Sequence, residues 1–253
     1  MPLGLGTGLS KSSIVTPGIV TDNLVLKHKY DKGAVVPVSD GAAYFDGTND
    51  YIEIGEHAAH AVNSITVMAW VKINGTPAES YSRIIDRDDT TSDSSRGYHI
   101  RYDKDALKWA SVIGNGTNKD VLLSSAYSSH PTEWTHVSLT YNATSGLAYF
   151  YIDAVLVDSH NFGSSANLND SEVPLYIGRS QSTNNDWDGY ICNAGIFSAA
   201  LTQPQIKSIM WKNYAGLTDS EKTNLVSWWN LDSIATGSDG SYVRDYHYGG
   251  NSS

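Results

Sequence analysis

Polar and apolar positions alternate along residues 134–157, WTHVSLTYNATSGLAYFYIDAVLV. Val137, Leu139 and Tyr141 fall on one parity; His136, Ser138 and Thr140 fall on the other. A period of two is that of a strand with one face turned to a core. Turn residues follow at 142–146, and residues 147–152 return with apolar or aromatic side chains on both parities. That pattern predicts a strand covered on both faces. Asp153-Ala154 reads as a two-residue turn, after which 155–157 pair back. Residues 65–73 (ITVMAWVKI) alternate as strongly, and shorter strand patterns occur near 82–85, 98–102, 107–112, 121–123, 175–177 and 190–197. Turn signals recur at the spacing of a sandwich or barrel.

Before these strands, residues 42–47 (AAYFDG) and 51–54 (YIEI) flank a turn and predict a strand–turn–strand hairpin. Thr202-Gln-Pro-Gln205 and Thr218-Asp-Ser-Glu221 both have the spacing of a capping box, which predicts two short helices, into Trp211 and into Leu225. Residues 228–232 and 242–246 could add strands. Residues 1–40 are rich in Gly, Ser and small apolar side chains and read as an extended arm, either loose or ordered against a neighbour. The expected organisation is an arm over 1–40 and a single β-sandwich over 41–253.

Composition narrows the partners. The 253 residues carry a net charge of −10 and no basic run, which argues against a nucleic acid. No apolar run is long enough to insert in a membrane. The amino-terminal residues lack the charged start and apolar stretch of a secretion signal, an expectation of manufacture in a cytoplasm. Cys192 is the one cysteine, so no internal disulfide forms, and its apolar strand makes it a buried filler rather than a reactive thiol.

The motifs then converge. AAYFDGTNDYIEI, SITVMAWVKI, EWTHVSLTYN with LAYFYIDAVLV, and above all LYIGRS with DWDGYICNAGIFSAALTQPQIKSI resemble the concanavalin A-like superfamily in its laminin-G-like, pentraxin-like branch. The resemblance implies an all-β, two-sheet antiparallel jelly-roll sandwich with one or two short helices. The chain departs from the pattern at Cys192-Asn193, where an acidic pair is usual, and at Asp153-Ala154, where Asp-Gly is usual. Left-handed Ala costs about 1 kcal/mol, so another turn type is expected there. Residues 1–40 resemble leaders of tailed-phage structural proteins that carry such a module.

Loops of the superfamily often hold Ca²⁺, which makes the oxygen-rich Asp86, Asp88 and Asp186 the candidate metal ligands; the plainer reading is turn formation. For glycans, Trp187 beside Asn and Asp, with Tyr81 and Tyr98 flanking the 86–96 loop, are the candidate stacking rings; a core role for Trp187 is the plainer reading. The closely spaced acidic residues of a retaining glycosidase strand are missing, since Glu53, Glu56 and Glu133 do not supply them. Glu56-His-Ala-Ala-His60 lacks the second-position Glu of a zinc-protease helix.

These readings favour a non-enzymatic virion structural or attachment protein, a capsid decoration or fibre-like component. Its expected partners are virion proteins or further copies through residues 1–40, and surface glycans. The alternatives are a stand-alone secreted or cell-surface lectin and, behind it, a glycoside hydrolase.

Overall fold

A computed structural model describes residues 41–163, 167–169, 172–181, 185–232, 235–237, 240–247 and 251–252. The predicted arm over 1–40 lies outside them. All pairings among the described strands are antiparallel, in two main sheets. The first contains β1 (Ala43–Asp46), β3 (Ile65–Ile73), β8 (Thr135–Asn142), β9 (Leu147–Ile152), β10 (Val155–Asn161), β12 (Asp188–Phe197) and β13 (Leu225–Trp229). Its order is β1-β12-β3-β8-β9-β10, with β13 also on β12. The second contains β2 (Ile52–Gly55), β4 (Tyr81–Arg87), β5 (Tyr98–Asp103), β6 (Lys108–Gly114), β7 (Lys119–Leu123) and β11 (Leu175–Ile177), in the order β2-β11-β4-β5-β6-β7. The all-β sandwich expected from the alternation is the observed fold.

Inward residues of both sheets form one core. Val67, Ala69 and Val71 of β3 and Val137, Leu139 and Tyr141 of β8 meet Ile85, Ile100, Tyr102 and Trp109 of the second sheet. The first sheet is also covered on part of its outer face. The helix α1 (Gln203–Ile209) and residues 210–217 place Ile206, Ile209, Met210 and Leu217 against Met68, Tyr151, Cys192 and Phe197. This second layer explains why β9 is apolar on both parities. Cys192 sits in it fully buried, and burial pushes its thiol up from the usual range.

Three expectations need correction. Residues 42–54 are not a hairpin: β1 pairs with β12 and β2 with β11, so the turn carries the chain from one sheet to the other. Alternation identifies a strand and its buried face, but a crossing turn and a hairpin turn use the same residue types. The box at Thr218 forms, with the Thr218 amide on Glu221 Oε2 at 2.9 Å, but no helix follows. Lys212 and Ser208 hold the Glu221 carboxylate, and Asn224 turns left-handed (φ 63°) into β13. α1 is thus the one α-helix among the described residues. Finally, Asp153 (φ 50°) and Ala154 (φ 56°) are both left-handed, the type I′ turn that suits a two-residue hairpin. The Ala154 methyl is fully buried in the outer layer, and a buried carbon group contributes about 0.8 kcal/mol. That roughly cancels the ~1 kcal/mol of strain, while Asp153 accepts the His136 amide at 2.9 Å.

Candidate functional site

The predicted ligand residues separate. Trp187 is fully buried and stacks on Trp109 (6.1 Å between ring centres, 30° between planes), and Tyr98 is equally buried. Neither can present a ring to a sugar. Tyr98 follows the parity of β5 into the core and Trp187 turns inward just ahead of β12, which aromatic content alone does not reveal. Tyr81 alone of the three is exposed, at the start of β4.

Asp86 and Asp88 come together, but on cationic partners. Asp88 accepts from Gly97 N–H at 3.1 Å and His99 Nδ1 at 2.9 Å and is ion-paired to Arg96. Asp86 Oδ2 lies 3.2 Å from Arg83 Nε. Asp186 pairs separately with Arg179, 3.3 Å away. Ca²⁺ takes six to eight oxygens free of competing cations. Here each carboxylate faces a guanidinium, and no cluster of three or more metal-binding side chains occurs among the described residues. The three aspartates do not fit the metal. The same surroundings set their charge states. Burial raises Asp86 to about 7 against the pull of Arg83, and burial with nearby Arg83 holds His99 well below its usual value despite Asp88. Burial also raises Asp186, against Arg179.

The accessible aromatic site is on the first sheet's outer face beside the covered part, with Trp134 packed against the covering layer, and the sequence reading missed it. Register places Tyr44 of β1 opposite Tyr190 of β12, and Tyr190 opposite Lys72 of β3. Lys72 in turn faces Trp134, one position beyond the last ladder pair of β3 and β8, Val71 with Thr135. Three inter-strand steps make this row about 14 Å long. Ring centres are 5.0 Å apart for Tyr44–Tyr190 and 6.2 Å for Tyr190–Trp134, with planes inclined by 49° and 52°. Tyr44 is 47% exposed, and Tyr190, Lys72 and Trp134 are half-buried. In the next row of the same face Trp211, 54% exposed, lies 5.0 Å from Trp70, whose indole donates to the Met210 carbonyl.

Polar groups edge the rings. Asn74 Nδ2 donates to the Tyr44 hydroxyl at 3.1 Å, and Lys72 brings an ammonium into the middle of the row. The backbone beneath is tightly specified. Gly189, beside Tyr190, has φ 141°, and a Cβ there would lie 2.1 Å from the Lys72 carbonyl oxygen. A bulge at Cys192–Gly195, with Asn193 at φ 45°, then passes β12 from β1 to β13. The signal that could have located the row is parity: Tyr44, Lys72, Trp134 and Tyr190 all oppose the core-facing positions of their strands.

A jelly-roll sandwich of two antiparallel sheets is the class that the fold defines. The chain belongs to the concanavalin A-like lectin/glucanases superfamily, whose laminin-G family model matches residues 46–207. Among solved structures it is similar to a Bacteroides ovatus protein named for a presumed carbohydrate binding (17% identity, TM-score 0.63), covering 84% of this chain and 57% of that one. The chain thus spans little more than half of that relative. It is also similar to the native heptameric SAP-like pentraxin of Limulus polyphemus (16% identity, TM-score 0.54, 81% of this chain and 95% of that one). At these identities the likeness is one of fold. No curated protein matches the chain. No helix among the described residues is long and apolar enough to cross a membrane.

Proposed function

We propose that the chain is a non-enzymatic attachment module that binds uncharged oligosaccharides on the Tyr44–Tyr190–Lys72–Trp134 row, and that it works on the outside of a virion. One observation carries the sugar reading: accessible rings follow one another across three of four adjacent strands, with hydrogen-bonding groups at their edges. Pyranose rings offer flat C–H faces ringed by hydroxyls, so they stack on such rings while their edges reach Lys72, Asn74 and the tyrosine hydroxyls. Inclinations near 50° between neighbouring rings suit a soluble chain free to twist at each linkage rather than a flat crystalline ribbon. The non-enzymatic reading is supported by Asp86 and Asp88, which are engaged by Arg83, Arg96 and His99.

The virion setting, with residues 1–40 as the segment that joins virion proteins or further copies, rests on the likeness of that segment to phage leaders. A stand-alone lectin would use the same row. A glycan array probed with the native chain and with Tyr44→Ala/Trp134→Ala tests the sugar reading: neutral oligosaccharides bind the native chain and lose the double variant. Equal signals would overturn it. Light scattering of the full chain and of a chain starting at residue 41 tests the setting. Assembly that needs residues 1–40 supports it, and a monomer in both cases favours the stand-alone lectin.

A further inference from the structure

We infer that the outer face of the second sheet carries a separate site for a carboxylate-bearing sugar, centred on Tyr81, Arg83 and Arg101. The protein as a whole is acidic, with a net charge of −10, yet three guanidiniums gather here around two carboxylates. Arg83 of β4 is the register partner of Arg101 of β5. Arg83 is 4% exposed, and its Nε and Nη1 make no hydrogen bond, although Nε lies 3.2 Å from Asp86. Arg96 is taken by Asp88.

Arg101 has no carboxylate within ion-pair distance among the described residues; Asp103 acts on it only from farther off. Its Nη1 lies 3.2 Å from His99 Nε2, and its Nε is unpartnered. With His99 Nδ1–H donating to Asp88, Nε2 is free to accept from Arg101, so the imidazole is neutral and leaves the guanidinium charge uncompensated. Arg101 Nη2 is neither buried nor hydrogen-bonded and can meet a carboxylate, while the buried Arg101 Nε and Arg83 add charge from behind.

Access comes from the side of Tyr81. That ring is 43% exposed, with the Arg101 guanidinium 4.5 Å over its centre. A sugar ring against Tyr81 would bring a carboxylate on its edge to Arg101, with Arg83 behind. Asp86 and Asp88, which argue against a cation here, are what hold Arg83 and Arg96 in place for an anion. This site and its ligand class are independent of the neutral-sugar row on the opposite sheet.

The probe is a hyaluronan hexasaccharide, compared by calorimetry with its carboxyl-reduced counterpart, which differs in the carboxylates alone. The native chain should bind the acidic form at least about tenfold tighter, as charge-assisted hydrogen bonds predict, and the preference should shrink as salt is raised. Arg101→Gln should abolish the preference and Arg101→Lys should restore part of it, with unfolding midpoints showing that both variants fold. Equal binding of the two probes, binding of neither, or a preference that survives Arg101→Gln would each overturn the assignment. Neutral-sugar binding is read separately through Tyr44→Ala/Trp134→Ala, so either site can fail alone.

Discussion

Replacing His136 with leucine should flatten the acid limb of the stability curve by an amount the structure sets. The ring is 1% exposed, lies 5.4 Å from the Trp70 ring, and leaves Nδ1 without a partner. Burial alone lowers its pKa from 6.5 to about 3. A folded-state pKa below the unfolded value means that the unfolded chain takes up the proton first. The neutral ring's contribution is therefore complete above pH 6.5 and is lost as pH falls toward 3. One bound proton changes stability by about 1.4 kcal/mol per pH unit, so ~2 kcal/mol is gone at pH 5 and ~4 kcal/mol at pH 3. His60, lowered to about 4 by burial and by His57, slopes the same way. Asp86, raised to about 7 mainly by burial, slopes oppositely: its contribution is present below pH 3.8 and lost as pH rises through 7. The difference between native chain and variant cancels these other groups. Urea unfolding at pH 7.5 and pH 5.0 measures it, and the variant should lose about 2 kcal/mol less than the native chain over that interval. Identical losses in the two proteins would refute the buried, neutral imidazole.

Other substitutions separate packing from recognition. Trp187→Ala should cost roughly 3–5 kcal/mol as a core truncation; an unchanged unfolding midpoint would contradict its burial. Gly189→Ala forces a left-handed alanine against the Lys72 carbonyl, so thermal melting should show a loss of at least about 2 kcal/mol. An unperturbed variant would mean that β12 does not run as described beneath Tyr190. Adding Ca²⁺ should leave the melting temperature unchanged; a saturable rise would show that the carboxylates escape their arginines.

Much of the sandwich was legible because its physics is local. Val67, Ala69 and Val71 announce a half-buried strand without reference to any partner, and residues 142–146 announce the turn after β8. The two-sided apolar pattern of β9 even foretold a second layer, though not that α1 would supply it. Pairing was less legible: residues 42–54 carry hairpin chemistry, yet their strands join different sheets, and only the long-range partners β12 and β11 decide that. The residues of the proposed sites were least legible. Trp187 sits among Asn and Asp, the surroundings of a sugar site, but faces inward. Tyr44, Tyr190 and Trp134 lie far apart in the chain and become neighbours only through cross-strand register. Arg83 and Arg101 gave no sequence signal, since two isolated arginines acquire meaning only when β4 and β5 bring them side by side.

The most direct test uses the seven tryptophans as reporters. In a ¹⁵N-labelled sample, the indole N–H resonances are followed while neutral hexasaccharides of glucose and mannose are titrated in. The aromatic-row account predicts that the Trp134 and Trp211 signals shift in a saturable way while those of Trp109, Trp187 and Trp229 stay in place. Saturation with Trp134 and Trp211 unmoved, or no saturable shift with any of these sugars, would contradict it.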